Sequence, residues 1–154
     1  QGSGTELAPA TVDTARVAYI RRANHPGTMH ESRRRILVVD DEPYIGRIIQ
    51  LKLEMGAYRV ECVQDGRSAL DRLRSADPVD LVLLDIMMPD VSGLEVLAQL
   101  RQIPQRARTP VIMLTAKGQE ADRARAAALG ATDFVTKPFS PKKLLARIDE
   151  ILGA

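Results

Sequence analysis

The sequence predicts an α/β domain built on a doubly wound, five-stranded parallel sheet with five helices, and three observations support this prediction. Between residues 35 and 152, apolar runs of strand length alternate regularly with segments of helical spacing. The first, third and fourth runs are apolar throughout, which is typical of strands covered by helices on both faces. Hydrophobic residues make up 45% of the chain and charged residues 27%, the balance of a globular domain.

The five predicted strands are short, and four of them end at a polar residue. The strands occupy residues 36–39, 58–63, 81–84, 111–114 and 134–136. The polar residues at four of the strand ends are Asp40 with Asp41, Asp85, Thr115 and Lys137.

Five helices are predicted between and after the strands. They cover residues 43–55, 66–74, 94–101 and 119–129, with a last helix starting at Pro141. Pro43 and Pro141 suit a first helical turn, and Ser140 can cap the last helix. The apolar stripe of the first helix consists of Ile45, Ile48, Ile49 and Leu53.

Residues 1–32 lie outside this pattern, so we interpret them as a leader and residues 33–154 as the folded domain. The first four residues resemble the remnant of a tag or protease site. One helix is predicted over residues 11–23. Two alternatives stay open for this segment: a flexible leader, or a short helix that docks on the domain or on a second copy.

Charge and cysteine content argue against several classes of protein. The formal net charge of +2 is too small to indicate a nucleic-acid or membrane partner. No apolar run reaches the roughly 18 residues that a membrane span needs, and the N-terminus lacks the apolar core of a signal peptide. Cys62 is the only cysteine, which excludes an intrachain disulfide and fits a cytoplasmic location. We expect Cys62 to be a small core residue.

The polar strand ends are predicted to converge, because ligands of open parallel sheets bind beyond the carboxyl ends of the strands. An isolated Asp after a strand is more often a helix cap than a ligand. Three acids at one edge repel one another, however, and a divalent cation relieves that repulsion. Oxygen ligands select Mg²⁺, Mn²⁺ or Ca²⁺ rather than zinc or copper.

Phosphoryl transfer fits this set of residues, because it depends on positioning and on neutralising charge. Asp85 can act as a nucleophile and form an acyl phosphate. Lys137 would pair with one phosphate oxygen and the Thr115 hydroxyl would donate to another. The backbone amides of Met87 and Ala116 would bind further oxygens.

Four ordered segments resemble the motifs of the response-regulator receiver family. They are residues 38–43 with the acidic pair, 83–95 around Asp85, 110–116 with Thr115, and 130–139 with Lys137 and Pro138. The match runs from about Arg35 to Leu152. It implies a flavodoxin-like sheet with strand order 2-1-3-4-5.

The resemblance also implies a phosphoacceptor switch in a two-component system. Asp85 would take a phosphoryl group from a sensor histidine kinase or a histidine phosphotransfer protein. Asp41, Asp85 and the Met87 carbonyl would bind Mg²⁺, for which Mn²⁺ can substitute, and Asp40 would act through a metal-bound water. The Lys137–Pro138 peptide bond is expected to be cis.

Phe134 occupies the aromatic switch position of the family, although it could also be a plain core residue. With phosphate present, Thr115 would move toward it and Phe134 would turn into the space left. This change would reshape the face formed by the fourth helix, the fifth strand and the fifth helix. That face would control a partner, an output domain or a homodimer, with no direct nucleic-acid contact.

Two other functions are alternatives to this one. A phosphatase of the haloacid-dehalogenase class normally has a second Asp two residues after its nucleophile, where this chain has Met87. A pseudo-receiver would lack one of the key site residues, and all are present here. We therefore expect no enzymatic turnover beyond self-phosphorylation and self-dephosphorylation. The chain is expected to be either a stand-alone receiver or a piece of a larger regulator or hybrid kinase.

Overall fold

A computed structural model of the chain describes residues 33–153. Residues 34–153 belong to one compact unit that begins at Arg34. The helix predicted over residues 11–23 lies outside the described residues. Within residues 33–153, no helix is both long enough and apolar enough to cross a bilayer.

Strands and helices alternate along the described chain in the predicted order. The strands are β1 (Arg34–Val39), β2 (Tyr58–Val63), β3 (Leu81–Asp85), β4 (Val111–Thr115) and β5 (Asp133–Thr136). The helices are α1 (Pro43–Leu53), α2 (Gly66–Arg74), α3 (Gly93–Leu100), α4 (Glu120–Ala128) and α5 (Pro141–Leu152), with a 3₁₀ turn at Pro104–Arg106. Their ends differ from the predicted ends by at most two residues.

The five strands form one parallel sheet in the order β2-β1-β3-β4-β5, which confirms the predicted fold class and topology. In this order β1 lies beside β3. From β1 the chain adds β2 on one side, and it then adds β3, β4 and β5 on the other side. The ends of β1 and β3 therefore flank the switch point at which such sheets bind ligands.

Successive residues of the central strands point to opposite faces, and each face has its own apolar core. On one face, Ile36 and Val38 pack with side chains of α1 and α5, including Ile49 and Ile148. On the other face, Leu37 and Val39 pack with side chains of α2, α3 and α4. Two cores on opposite faces hold the central strands, and with them the residues at the strand ends, in fixed positions.

One side-chain prediction, that for Cys62, was wrong, and one residue of the apolar stripe of α1 is exposed. Ile48 is 42% exposed, because the buried positions of α1 are Ile45, Gly46, Ile49 and Leu53. Cys62 is exposed rather than part of the core. It lies near the end of β2, which is an edge strand, and its Sγ is only 3.0 Å from where a Cβ at Gly46 would be. Cys62 therefore packs against the helix backbone while its other side faces solvent.

Gly93, the first residue of α3, lies against the backbone of the strand end that contains Asp85. A Cβ at this position would be 2.0 Å from the carbonyl oxygen of Asp85 and 2.9 Å from Cα of Ile86. The Gly93 amide also donates to the Ile86 carbonyl at 2.8 Å. Only a residue without a side chain allows α3 to begin this close to the end of β3.

We predict that Gly93→Ala lowers the free energy of unfolding by about 2 kcal/mol or more, because the added methyl group overlaps main-chain atoms that are held by the sheet. Urea denaturation measures the loss. Gly56→Ala is the matched control, since a Cβ there would be no closer than 3.8 Å to the nearest atom. Equal stability of the two variants would contradict the prediction.

Candidate functional site

Three carboxylates meet at the carboxyl edge of the sheet. Asp40 and Asp41 follow β1, and Asp85 is the last residue of β3. One oxygen from each lies within 4.8 Å of the others. Asp40 is 3% exposed and Asp85 is 7% exposed, whereas Asp41 is at the surface. The structure therefore brings together the three acids that the sequence placed at two strand ends.

The Lys137 ammonium lies among these acids. Its Nζ is 2.7 Å from Oδ2 of Asp40 and 3.6 Å from Oδ2 of Asp85. The Lys137 amide donates to the Thr115 carbonyl at 2.7 Å, which fixes the start of the loop after β5. The Lys137–Pro138 peptide bond is cis, as the sequence predicted.

The buried acids and the ammonium change one another's pKa. Burial, followed by the neighbouring Asp40 carboxylate, raises the pKa of Asp85 from its ordinary value of 3.8 to about 7, although Lys137 acts in the opposite direction. Burial alone would lower the pKa of Lys137, but its contacts with Asp40, Asp85 and Glu42 outweigh that effect and raise it. The lysine is therefore a permanent cation beside a carboxyl group that resists ionisation.

The carboxylate cluster suits a hard divalent cation. Its three donors are all oxygens, the set that Mg²⁺ and similar ions prefer. Oδ2 of Asp40 is buried and, among the described groups, accepts no hydrogen bond of acceptable geometry. Within residues 33–153, the Lys137 ammonium is the one cation that balances this oxygen at close range. A cation at this edge would supply the charge that the buried oxygens lack.

Thr115 and Ala116 are already engaged by other groups. The Thr115 hydroxyl is 3.4 Å from Oγ1 of Thr136 and 3.5 Å from the Val135 carbonyl, so it faces β5. The Ala116 amide donates to Oε1 of Gln119 at 2.7 Å. The phosphate contacts predicted for Thr115 and Ala116 would therefore require these partners to be exchanged.

Phe134 lies on β5 between the core and the surface. It is partly buried and packs against the core on the α2, α3 and α4 face. The Arg123 guanidinium of α4 is 5.0 Å from the centre of its ring, a favourable cation–π distance. The ring thus connects α4 to β5, which is where the predicted switch would act.

Sequence reasoning missed Glu42 and Tyr44. Oε1 of Glu42 is 3.1 Å from Nζ of Lys137, and the Tyr44 hydroxyl donates to Oε2 of Glu42 at 3.1 Å. Hydrogen bonds from Lys137 and then from Tyr44 lower the pKa of Glu42. The one available signal was that Glu42 directly follows the acidic pair.

A groove of about 520 Å³ adjoins the site, and we call it the α1 groove. Its walls come from the start of α1 and from the loop between β5 and α5. The lining residues are Glu42, Tyr44, Ile45, Ile48, Lys137, Pro138, Phe139 and Pro141. Glu42 and Lys137 belong to both the groove and the site, so the two share a wall.

Comparisons with known proteins agree with this geometry. The family model of the response regulator receiver domain matches residues 36–149. Over 119 residues the chain is 45% identical to the alkaline phosphatase synthesis transcriptional regulatory protein PhoP of Bacillus subtilis, covering 77% of this chain and 48% of that protein. The structure of chemotaxis protein CheY4 of Vibrio cholerae matches with a TM-score of 0.73 at 31% identity, covering 79% of this chain and 100% of that one.

A further structural match is the BeF3-activated receiver domain of DrrB from Thermotoga maritima. Its TM-score is 0.70 at 34% identity, and it covers 79% of this chain and 99% of that chain. The chain spans about half the length of the curated relative PhoP. Because PhoP is named as a transcriptional regulatory protein, the predicted absence of a nucleic-acid partner finds no support in this comparison.

Without divalent cations, we predict that Asp85→Asn raises the free energy of unfolding at pH 7–8 by about 1–3 kcal/mol, because the variant no longer ionises a buried carboxyl group. The folded-state pKa of Asp85 is raised, so its stabilising contribution is complete below the unfolded value near 3.8 and is lost as pH rises to about 7. The advantage of the variant should therefore grow between about pH 4 and pH 7 and then stay constant.

Thermal unfolding in a chelator, repeated across this pH range, measures the difference. Mg²⁺ should then raise the midpoint of the wild type much more than that of the variant. Asp71→Asn is the control, since Asp71 is exposed on α2. An advantage of Asp85→Asn that is constant from pH 4 to pH 8 would contradict the electrostatic account.

Proposed function

The chain belongs to the response regulator receiver domain family, and from that premise we propose that residues 33–154 form a receiver that accepts a phosphoryl group on Asp85. The donor is a sensor histidine kinase or a histidine phosphotransfer protein of a two-component system. One observation carries the proposal: a nearly buried Asp85 lies within 3.6 Å of a lysine ammonium and within 4.8 Å of two further acids.

In the proposed reaction, a carboxylate oxygen of Asp85 attacks the phosphorus atom of a phosphohistidine. The new O–P bond forms as the P–N bond breaks, and the imidazole leaves with the electron pair and takes up a proton. The product is an acyl phosphate on Asp85. Because the pKa of Asp85 is raised by burial and by Asp40, positive charge is needed to keep it ionised for attack.

Asp40, Asp41, Asp85 and the Met87 carbonyl are the groups that would hold Mg²⁺, with Asp40 acting through a water. Mn²⁺ suits the same oxygen ligands. When bound, the cation neutralises charge on the carboxylates and on the phosphoryl oxygens.

Positive charge and hydrogen-bond donors on the protein orient the phosphoryl group. Lys137 would bind one oxygen through its ammonium, and the amides of Met87 and Ala116 would bind others. The Thr115 hydroxyl would exchange its contacts with β5 for a phosphoryl oxygen. Phe134 would then move into the space beside β5, which alters the face formed by α4, β5 and α5. This face is the proposed surface for an output domain, a partner or a second copy.

The two alternative functions fit the site less well. At position 87, where a phosphatase of the haloacid-dehalogenase class would have its acid–base Asp, a Met side chain is 56% exposed and has no proton to transfer. A pseudo-receiver is not expected to keep a complete set of acids, hydroxyl and ammonium. Close contacts among Asp40, Asp85 and Lys137 favour an active receiver.

We predict that the wild type gains one phosphoryl group when it is incubated with a small phosphodonor and Mg²⁺. Asp85→Ala should gain none, because the substitution removes the carboxylate that attacks phosphorus in the proposed reaction. Intact-mass spectrometry measures the addition. Asp90→Asn, a change in the same loop at an exposed Asp, should be phosphorylated normally. Lys137→Ala should accept some phosphate but transmit the switch poorly.

Equal phosphorylation of Asp85→Ala and wild type would rule out Asp85 as the acceptor. Absence of phosphorylation in the wild type, with Mg²⁺ present and the protein folded, would instead count against the receiver function itself.

Met87 is expected to lengthen the life of the acyl phosphate, because its bulky side chain follows Asp85 by two residues and can cover the path of an attacking water. We predict that Met87→Asn speeds dephosphorylation severalfold, since its smaller polar side chain admits and orients water. The decay of phosphoprotein after donor removal gives the rate. Met55→Asn is a matched control at an exposed position two residues after α1. An unchanged decay rate for Met87→Asn would end the hypothesis.

A further inference from the structure

We propose that Glu42 and Gln119 are internal competitors for the phosphoryl group: each occupies a donor that the phosphoryl oxygens need, and together they set how tightly the site binds this group. The inference rests on the proposed function and adds two positioning residues to it.

Glu42 occupies the ammonium of Lys137. Its Oε1 lies 3.1 Å from Nζ, and its Oε2 accepts a hydrogen bond from the Tyr44 hydroxyl at 3.1 Å. Both oxygens of the carboxylate are therefore engaged, and Tyr44 holds the group in the orientation that reaches Lys137. The Glu42 side chain is 45% exposed, whereas that of Lys137 is 17% exposed.

Gln119 occupies the amide of Ala116. Its Oε1 accepts this hydrogen bond at 2.7 Å. Gln119 is the residue before α4, where a side chain often caps the helix, yet it caps no amide of α4. The side chain instead turns back by three residues, across a turn in which Gly118 has a φ of +85°. Gln119 thus places a neutral oxygen where a phosphoryl oxygen is expected.

Three acids surround the ammonium, whose Nζ lies 2.7 Å from Asp40, 3.1 Å from Glu42 and 3.6 Å from Asp85. Among these three contacts, the one with Glu42 is a hydrogen bond of acceptable geometry. Asp85 is the acceptor of the phosphoryl group, and Asp40 is nearly buried, so releasing its carboxylate would leave a charge without water. Glu42 can be released to solvent at the lowest cost. The Ala116 amide has a single proton, so Gln119 must leave it as well.

The test measures the affinity for fluoroberyllate, a phosphoryl mimic, at saturating Mg²⁺. Fluorine NMR of the bound species provides the readout. We expect Glu42→Gln to bind about two to five times more tightly than wild type, since a half-exposed ion pair contributes little more than that. Gln119→Ala should bind about two to ten times more tightly, the range of one net hydrogen bond. The double variant should combine the two factors, because the residues engage separate donors.

Three further measurements separate direct competition from a general effect of charge or of folding. Glu42→Asp keeps the charge but is too short to reach Lys137, so it should behave like Glu42→Gln. The gain of Glu42→Gln should shrink as salt is added, whereas that of Gln119→Ala should not. Glu150→Gln and Gln105→Ala make the same chemical changes at exposed positions away from the site and should match wild type.

Affinities of Glu42→Gln and Gln119→Ala equal to or weaker than that of wild type would overturn the inference and leave the proposed function in place. Wild-type affinity in Glu42→Asp would overturn the direct contact with Lys137. If folded wild type binds no fluoroberyllate, the inference and the proposed function fail together.

Discussion

The structure depends on one electrostatic constraint: the fold places an excess of negative charge at the carboxyl edge of the sheet, where two of the three carboxylates are buried. Asp40 and Asp85 are almost buried, with Asp41 beside them. Lys137 is the cation that Asp40 and Asp85 share. Parallel strands impose this arrangement because their carboxyl ends share an edge. In a medium of low polarity, repulsion among the acids and attraction to a cation are both strengthened. The acids that destabilise the domain by themselves thereby make it receptive to added positive charge.

Much of the fold and the central site could be predicted from the sequence, because the responsible signals are local. Apolar runs and helical spacing located all ten main elements of the described chain, with small errors at their ends. The residues at the ends of β1, β3 and β5 are expected to lie close together once the sheet is known to be parallel. Asp85 and Lys137 are far apart in sequence, and the topology alone brings their side chains close.

The missed features depend on contacts between distant residues or on the direction of a side chain. Arg106 is 3% exposed, and its guanidinium donates to the carbonyls of Leu73, Ser75 and Asp77, which no local pattern indicates. Cys62 was expected in the core but lies exposed on an edge strand. The exposed fraction of a side chain there depends on how far α1 extends over the strand. The contact of Gln119 with Ala116 required the course of the turn before α4 to be known.

The α1 groove has a thermodynamic consequence, because Glu42 and Lys137 form part of its wall as well as part of the site. A molecule bound in the groove would contact Glu42 and Lys137 as an ion pair before phosphorylation. After the lysine changes partners, it would contact the two charges separately. If its affinity differed between those two conditions, reciprocity would require it to shift the affinity of the site for the phosphoryl group by the same factor. The groove is therefore a place where an unreactive small molecule could bias signalling without touching the acceptor carboxylate.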